Sequence, residues 1–341
     1  MTDRYIELHA ASAFSFLEGG SLPETLAERA AELEMPAIAL LDRNGVYGSA
    51  RIHKAAEENR VHAHVGAEVS IAGFGQRLTP PAWLPHQSPA EPVRLPLLCE
   101  TREGYQNLCQ LITRFKMRET TKQEGVAKRS DLEEHAAGLV CLTGGEEGPL
   151  AAALMHRGEE AGRETVERLV QIFGAQNVYV EVQRHREREE EWRNQAALRI
   201  AQSFKLPVLA TNGVRYARKY DREILDLFTA IRHHTELDHA GRLLAQNSQR
   251  YLRPEREMAA LFRDVAGAVE NTVDLSSRLA FQMRDLGYEF PHYPVPDGET
   301  MDSFLEKRVV EGVARRYGPK RNADLLARAQ KQVQHRSESV V

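Results

Sequence analysis

Four residues in the first fifth of the chain have the chemistry of metal ligands or acid–base groups: His9, Glu18, Asp42 and Glu68. Each lies at or just beyond a short apolar run. His9 and Glu18 belong to Glu7-Leu8-His9-Ala10-Ala11-Ser12-Ala13-Phe14-Ser15-Phe16-Leu17-Glu18-Gly19. Asp42 belongs to Ala39-Leu40-Leu41-Asp42-Arg43-Asn44-Gly45-Val46-Tyr47-Gly48, and Glu68 closes Val65-Gly66-Ala67-Glu68. A further polar cluster, Thr211-Asn212-Gly213-Val214-Arg215-Tyr216, follows Leu209-Ala210. If the apolar runs are neighbouring strands of a barrel, their ends converge at one mouth. An imidazole and carboxylates meeting there offer the lone pairs that a divalent metal needs.

The elements that must position these residues alternate along the chain. Strands are expected at 6–9, 37–41, 64–71, 95–99, 139–142, 178–182 and 208–210. Helical periods fall between them, at 21–34, 49–60, 104–115, 149–156, 163–173 and 187–204. Ser21 with Glu24 three residues on reads as a capping box. The wholly apolar strand at 37–41 suits a parallel sheet covered on both faces. Five prolines between Pro80 and Pro92 exclude helix and central strand, so a loop is expected over 78–94. A polar loop is expected over 116–129. Beyond Asp221 the pattern is mainly helical. Strand–helix alternation implies an α/β fold, and polar residues just after the strands favour a barrel.

The motif order carries a family resemblance. His-x-x-Ser-x-Phe-Ser-Phe-Leu-x-Gly from His9, Asp-x-x-Gly-Val-Tyr-Gly from Asp42, Gly-Ala-Glu ending at Glu68 and Ala-Thr-Asn-x-Val-x-Tyr from Ala210 resemble the PHP domain (polymerase and histidinol phosphatase). The likeness is strongest to the version at the front of error-prone, C-family bacterial DNA polymerases. Arg94-Leu95-Pro96-Leu97-Leu98-Cys99, Gly104-Tyr105-Gln106-Asn107-Leu108 and Met301-Asp302-Ser303-Phe304-Leu305 extend it over residues 5–334. It implies a PHP-type (β/α)7-like distorted barrel followed by a mainly helical C-terminal extension. The domains expected are a barrel over 1–220, its helical completion over 221–290, and a linker with the start of a polymerase core over 291–341.

An intact PHP site holds a metal cluster through several His and acidic residues and hydrolyses phosphoesters. The resemblance places residual ligands at His9, Glu18, Asp42 and Glu68. It also places five losses: Ala11, Arg43, Arg94 and Arg215 where the family has His, and Gly213 where it has Asp. Ala and Gly side chains have no lone pairs to give. Guanidiniums bring permanent charge where the family would place cations. No metal or other cofactor is therefore expected, and the arginines are expected to pair with Asp42, Glu18 and Glu68. Divalent Mg, Mn or Zn belongs to the competing reading, a free-standing metal-dependent phosphoesterase or 3′–5′ exonuclease.

No catalytic residue is expected in this chain itself. Polymerase chemistry needs carboxylates holding two metal ions, and no Asp-x-Asp occurs anywhere in the sequence. The tail departs from the family pattern after His335, so truncation before the palm is expected. Implied partners are a polymerase core of palm and thumb, and DNA through that parent polymerase. Acids exceed bases, 49 to 45, so a nucleic-acid surface has to be a local patch. The clearest positive stretch is Arg114, Lys116, Arg118, Lys122, Lys128 and Arg129. The run from Arg184 to Glu191 reads as a solvated helix face, and His233, His234 and His239 as surface histidines. No run approaches the roughly 20 apolar residues of a membrane helix. Cys99, Cys109 and Cys141 form no CxxC pair and sit in apolar stretches, which suits buried thiols in a reducing cytoplasm.

Overall fold

The computed structural model describes residues 5–76, 92–118, 125–287, 293–317 and 323–337. Among these, seven strands form one sheet in chain order. They are β1 (Glu7–Ala10), β2 (Ala37–Arg43), β3 (His62–Gln76), β4 (Pro92–Cys99), β5 (Leu139–Leu142), β6 (Val178–Val182) and β7 (Val208–Ala210). Helix α1 (Pro23–Glu32) joins β1 to β2, and α2 (Ser49–Glu58) joins β2 to β3. Helices α3 (Arg102–Arg118) and α4 (Arg129–Glu134) lie between β4 and β5. Helices α5 (Pro149–Phe173) and α6 (Glu190–Phe204) connect the last three strands. The sheet curls until its two edges touch: Ala11 N donates to Val214 O at 2.8 Å and Val214 N to His9 O at 2.9 Å. The fold is thus the distorted α/β barrel expected.

One strand reverses direction. β1, β2 and β3 pair in parallel, as do β5, β6 and β7, but β4 is antiparallel to both neighbours. An antiparallel pair can be joined by a short turn, whereas a parallel return needs a long crossover. The consequence is positional. The carboxyl ends of the other strands and the amino end of β4 share one rim, which is how Arg94 reaches the mouth. The proline-rich segment lies largely in 77–91, outside the described residues. Its expected end is corrected, because Pro92, Val93 and Arg94 already pair with β3.

Alternate strand residues fill the barrel. Leu8, Ala39, Leu41, Leu98, Val140, Leu142 and Leu209 form one buried cluster with Leu275 and Leu279. The last two bracket the end of α10 (Glu270–Arg278), which follows α7 (Arg222–Arg232), α8 (Leu237–Ala240) and α9 (Glu255–Leu261). Thr272 Oγ1 accepts from Ile6 N, so α10 closes the end opposite the mouth. Two larger clusters lie between sheet and outer helices.

Several local expectations are corrected. Leu22 rather than Ser21 precedes α1, with Pro23 inside its first turn and no side-chain cap. Ser21 Oγ accepts from Ala217 N at 2.9 Å, and Glu24 pairs with Arg51. Both were drawn away by tertiary partners. The two helices expected over 149–173 do stand apart, since the backbone at Gly158, with φ +82° and ψ −172°, is not helical and breaks α5 in two. The polar loop at 116–129 begins inside α3, and Ala127 bridges to Ile71.

The chain forms two compact units, Met1–Leu286 and Gly287–Val341. The first holds the barrel and its helical completion. The second contains α11 (Met301–Tyr317) and α12 (Ala323–Ser337). No residue of α11 is buried, while Tyr293 stacks on Phe304. No helix among the described residues is long and apolar enough to cross a membrane.

Candidate functional site

The rim of the barrel gathers charge from most strands. His9 comes from β1 and Glu18 from the loop after it. Arg43 ends β2, Glu68 lies on β3, Arg94 on β4 and Glu181 on β6. Glu147 and Arg215 sit in the loops after β5 and β7. His9, Glu18, Glu68, Arg94, Glu181 and Arg215 are all buried. Charges in such a place must be paired and hydrogen-bonded.

His9 lies between two carboxylates. Its Nδ1 is 2.7 Å from Glu181 Oε1 and its Nε2 is 2.8 Å from Glu68 Oε1. Both ring nitrogens face acceptors, so the doubly protonated imidazolium satisfies both. Burial works against that charge, but Glu181 and then Glu68 outweigh it and push the His9 pKa up to about 10. Burial likewise opposes the Glu181 charge, and His9 overcomes it and holds the carboxyl below its ordinary range.

Glu18 is held by guanidiniums. Arg94 makes a two-pronged contact, Nη1 to Oε2 at 2.5 Å and Nη2 to Oε1 at 2.8 Å. Arg43 Nη1 donates to Oε1 at 2.6 Å and Arg232 Nη1 at 3.0 Å. Burial would raise the Glu18 pKa, but Arg94 first, then Arg43 and Arg215, bring it down to about 2. Glu68 accepts from Arg215 Nη1 at 3.3 Å and lies 3.7 Å from Arg94 Nη1. Despite burial, Arg215 and His9 hold its carboxyl well below the usual range. Arg215 Nη2 also donates to Glu147 at 2.5 Å, and Arg250 Nη2 to Glu146 at 2.7 Å. Arg–carboxylate forks of this kind are strong and directional.

Asp42 departs from the expected pairing with arginine. Its Oδ1 accepts from Ser12 N at 2.8 Å, Ser12 Oγ at 2.9 Å and Ser15 Oγ at 2.9 Å. It fastens the loop that carries Glu18, and burial pushes its pKa up. Ala11 is buried beside His9. Gly213 has φ +52°, and a Cβ there would lie 2.7 Å from Gln183 Nε2. Among the described residues no three His, Cys, Asp or Glu side chains group so as to hold a metal ion.

Sequence reasoning did not single out Glu181, Glu7, Glu147 or Arg232, and it placed His185 on a solvated face. An acid within the apolar run Val178-Tyr179-Val180-Glu181-Val182 was the available signal for Glu181. Glu7 accepts from Tyr5 Oη, His9 N and Asn212 N, and burial still raises its pKa to about 7. The run from Arg184 to Glu191 is not wholly a solvated face. His185 is buried, with Nδ1 2.8 Å from Glu190 Oε1 and Nε2 donating to Asn212 O. His234 and His239 are exposed. In the positive stretch, Arg118 forks onto Asp131, Arg114 pairs with Glu134 and Arg129 with Glu133, so α4 neutralises much of it. Lys122 lies outside the described residues.

A curled seven-stranded α/β sheet with charged residues on its rim defines the class of molecule. Residues 7–185 match the PHP domain, and the chain belongs to that family. It is 35% identical over 332 residues to an error-prone DNA polymerase of Mycolicibacterium paratuberculosis, covering 97% of this chain and 29% of that protein. Against the error-prone DNA polymerase of Anaeromyxobacter dehalogenans it is 35% identical over 292 residues, covering 86% of this chain and 24% of the relative. The chain therefore spans less than a third of these relatives. A solved amidohydrolase from Chromobacterium violaceum is 16% identical with a TM-score of 0.41, covering 62% of this chain and 87% of that one.

Proposed function

We propose that this chain is the amino-terminal PHP portion of an error-prone DNA-directed DNA polymerase and that its barrel acts as a scaffold, not a hydrolase. The parent would be a nucleotidyltransferase of damage-tolerant replication and repair in the cytoplasm. The barrel would pack on the palm and thumb of that polymerase, and DNA would be reached through them. The carrying observation is the seating of Arg94 on Glu18 and of Arg215 on Glu68. Guanidiniums there compensate the carboxylate charge that a metal would otherwise balance. Their permanent charge also repels a cation at close range. His9 supports the same reading, because both of its nitrogens are engaged by carboxylates. This donor set does not suit a metal cluster, and no step is assigned to one.

Titration calorimetry of the 341-residue chain with Mn²⁺ and Zn²⁺ tests this, run beside phosphatase and 3′–5′ exonuclease assays. The expected result is no stoichiometric tight site and no turnover above the buffer rate. A stoichiometric site with metal-dependent hydrolysis would overturn the scaffold reading in favour of a phosphoesterase.

A further inference from the structure

Behind the rim lies a small cavity that the charged network only partly explains. Its walls are Gly144 and Gly145 after β5, Leu150, Ala151 and Leu154 on α5, Glu181 and Gln183 on or just beyond β6, and Arg193, Asn194 and Ala197 on α6. Its volume is about 10 Å³, close to the roughly 10–15 Å³ that admits a single water.

The two oxygens of Glu181 are treated unequally. Oε1 accepts from His9 Nδ1, from Gln183 Nε2 at 2.8 Å and from Thr211 Oγ1. Oε2 is buried and has no protein donor. An ionised carboxylate oxygen left so is costly, and native proteins rarely tolerate one. The Arg193 side chain lines the same cavity and is largely buried. Gln183 Nε2 donates to Glu181 Oε1 and to Thr211 Oγ1, and Asn194 Nδ2 gives one of its two N–H groups to Gln183 O at 2.8 Å. The charged donor on the wall is the Arg193 guanidinium, and no hydrogen bond or ion pair joins it to Glu181.

We propose that this cavity is a built site for one ordered water, which accepts from the Arg193 guanidinium and donates to Glu181 Oε2. A neutral molecule fits the wall better than an ion, because one anionic and one cationic side chain face it together. A water with two polar partners of opposite kind satisfies both. Arg193 on α6 then acts as a positioning residue. Through the water it fixes the Glu181 carboxylate, and through Glu181 it fixes His9 in the rim. The site lies outside the residues that the PHP resemblance singles out.

A crystal structure of the 341-residue chain at about 1.5 Å or better is the first test, since bridging waters have ordinary hydrogen-bond lengths of about 2.7–3.1 Å. One water peak at that distance from both Glu181 Oε2 and the Arg193 guanidinium is expected. A direct Arg193–Glu181 contact, an empty cavity or a peak heavier than water would each overturn the proposal. Solution NMR supplies the second test: the amides of Gly144 and Gly145 should show cross-peaks to a long-lived water in the wild type. These should vanish in Arg193→Met. Should that variant not fold, Ala151→Val fills the cavity from the opposite wall and should remove the same cross-peaks. Cross-peaks that persist unchanged in the folded variant would sink the idea.

Discussion

Arg94 and Glu18, 76 residues apart in the chain, meet in a buried two-pronged ion pair with contacts of 2.5 and 2.8 Å. The antiparallel entry of β4 makes this possible, because it brings the start of that strand to the rim. Arg94 is almost wholly enclosed, at 1% exposure. Removing one partner of such a pair leaves a buried charge uncompensated. Arg94→Met should cost about 3 kcal/mol, even with Arg43 and Arg232 still on Glu18. Urea unfolding at pH 7 measures it. The double change Glu18→Gln with Arg94→Met should lose less than Arg94→Met alone, since no lone carboxylate remains. A double variant weaker than the single one would contradict the pairing.

The His9 bridge should give the protein an alkaline limb. Its pKa rises from an ordinary 6.5 to about 10 on folding. The folded state keeps a proton there that the unfolded state releases. Stability from this group is complete below 6.5 and is lost as pH rises through 10. The slope is at most about 1.4 kcal/mol per pH unit. His9→Gln should be less stable at pH 7 and should show a flatter decline between pH 7 and 9.5 in denaturant titrations. An unchanged slope would show that His9 is not the group responsible.

Two buried groups pull in opposite directions at mildly acid pH. Burial raises Glu7 from 4.5 to about 7, so its contribution falls as pH rises from 4.5 to 7. Burial, helped by neighbouring His62, lowers His64 from 6.5 to about 3. Its contribution therefore falls as pH drops from 6.5 toward 3. Between about 4.5 and 6.5 the two offset each other and stability should be nearly level. His64→Leu should tilt that plateau so that stability falls with rising pH. Glu7→Gln should tilt it the other way. Below 4.5 the depressed carboxyls, Glu18 with a pKa of about 2 among them, add a steep acid loss. Parallel pH series of thermal midpoints for the three proteins decide this.

Gly213 should resist a side chain. Its backbone is left-handed at φ +52°, and an added Cβ would press on Gln183, which steadies Glu181 and Thr211. Gly213→Ala should cost about 1–2 kcal/mol, read as a drop in thermal midpoint. A variant as stable as the wild type would mean that the loop after β7 yields freely.

The alternation of strand and helix, the apolar fill of the barrel and the convergence of His9 and Glu68 at one mouth were legible from residue types and order. That was so because local periodicity and motif spacing are written along one chain. Glu181 was not legible, since an acid in an apolar strand does not announce the histidine that will neutralise it. Asp42 was assigned an arginine and instead accepts from Ser12 and Ser15, whose amide and hydroxyls the loop after β1 brings within 2.9 Å. The reversal of β4 was equally hidden, although it carries Arg94 to the rim. Sequence alone determined which arginines and carboxylates the chain carries near its strand ends. Tertiary structure decided which carboxylate each charge would meet, because ion pairing falls off over a few ångströms and partners this distant in the chain become neighbours only when the sheet closes.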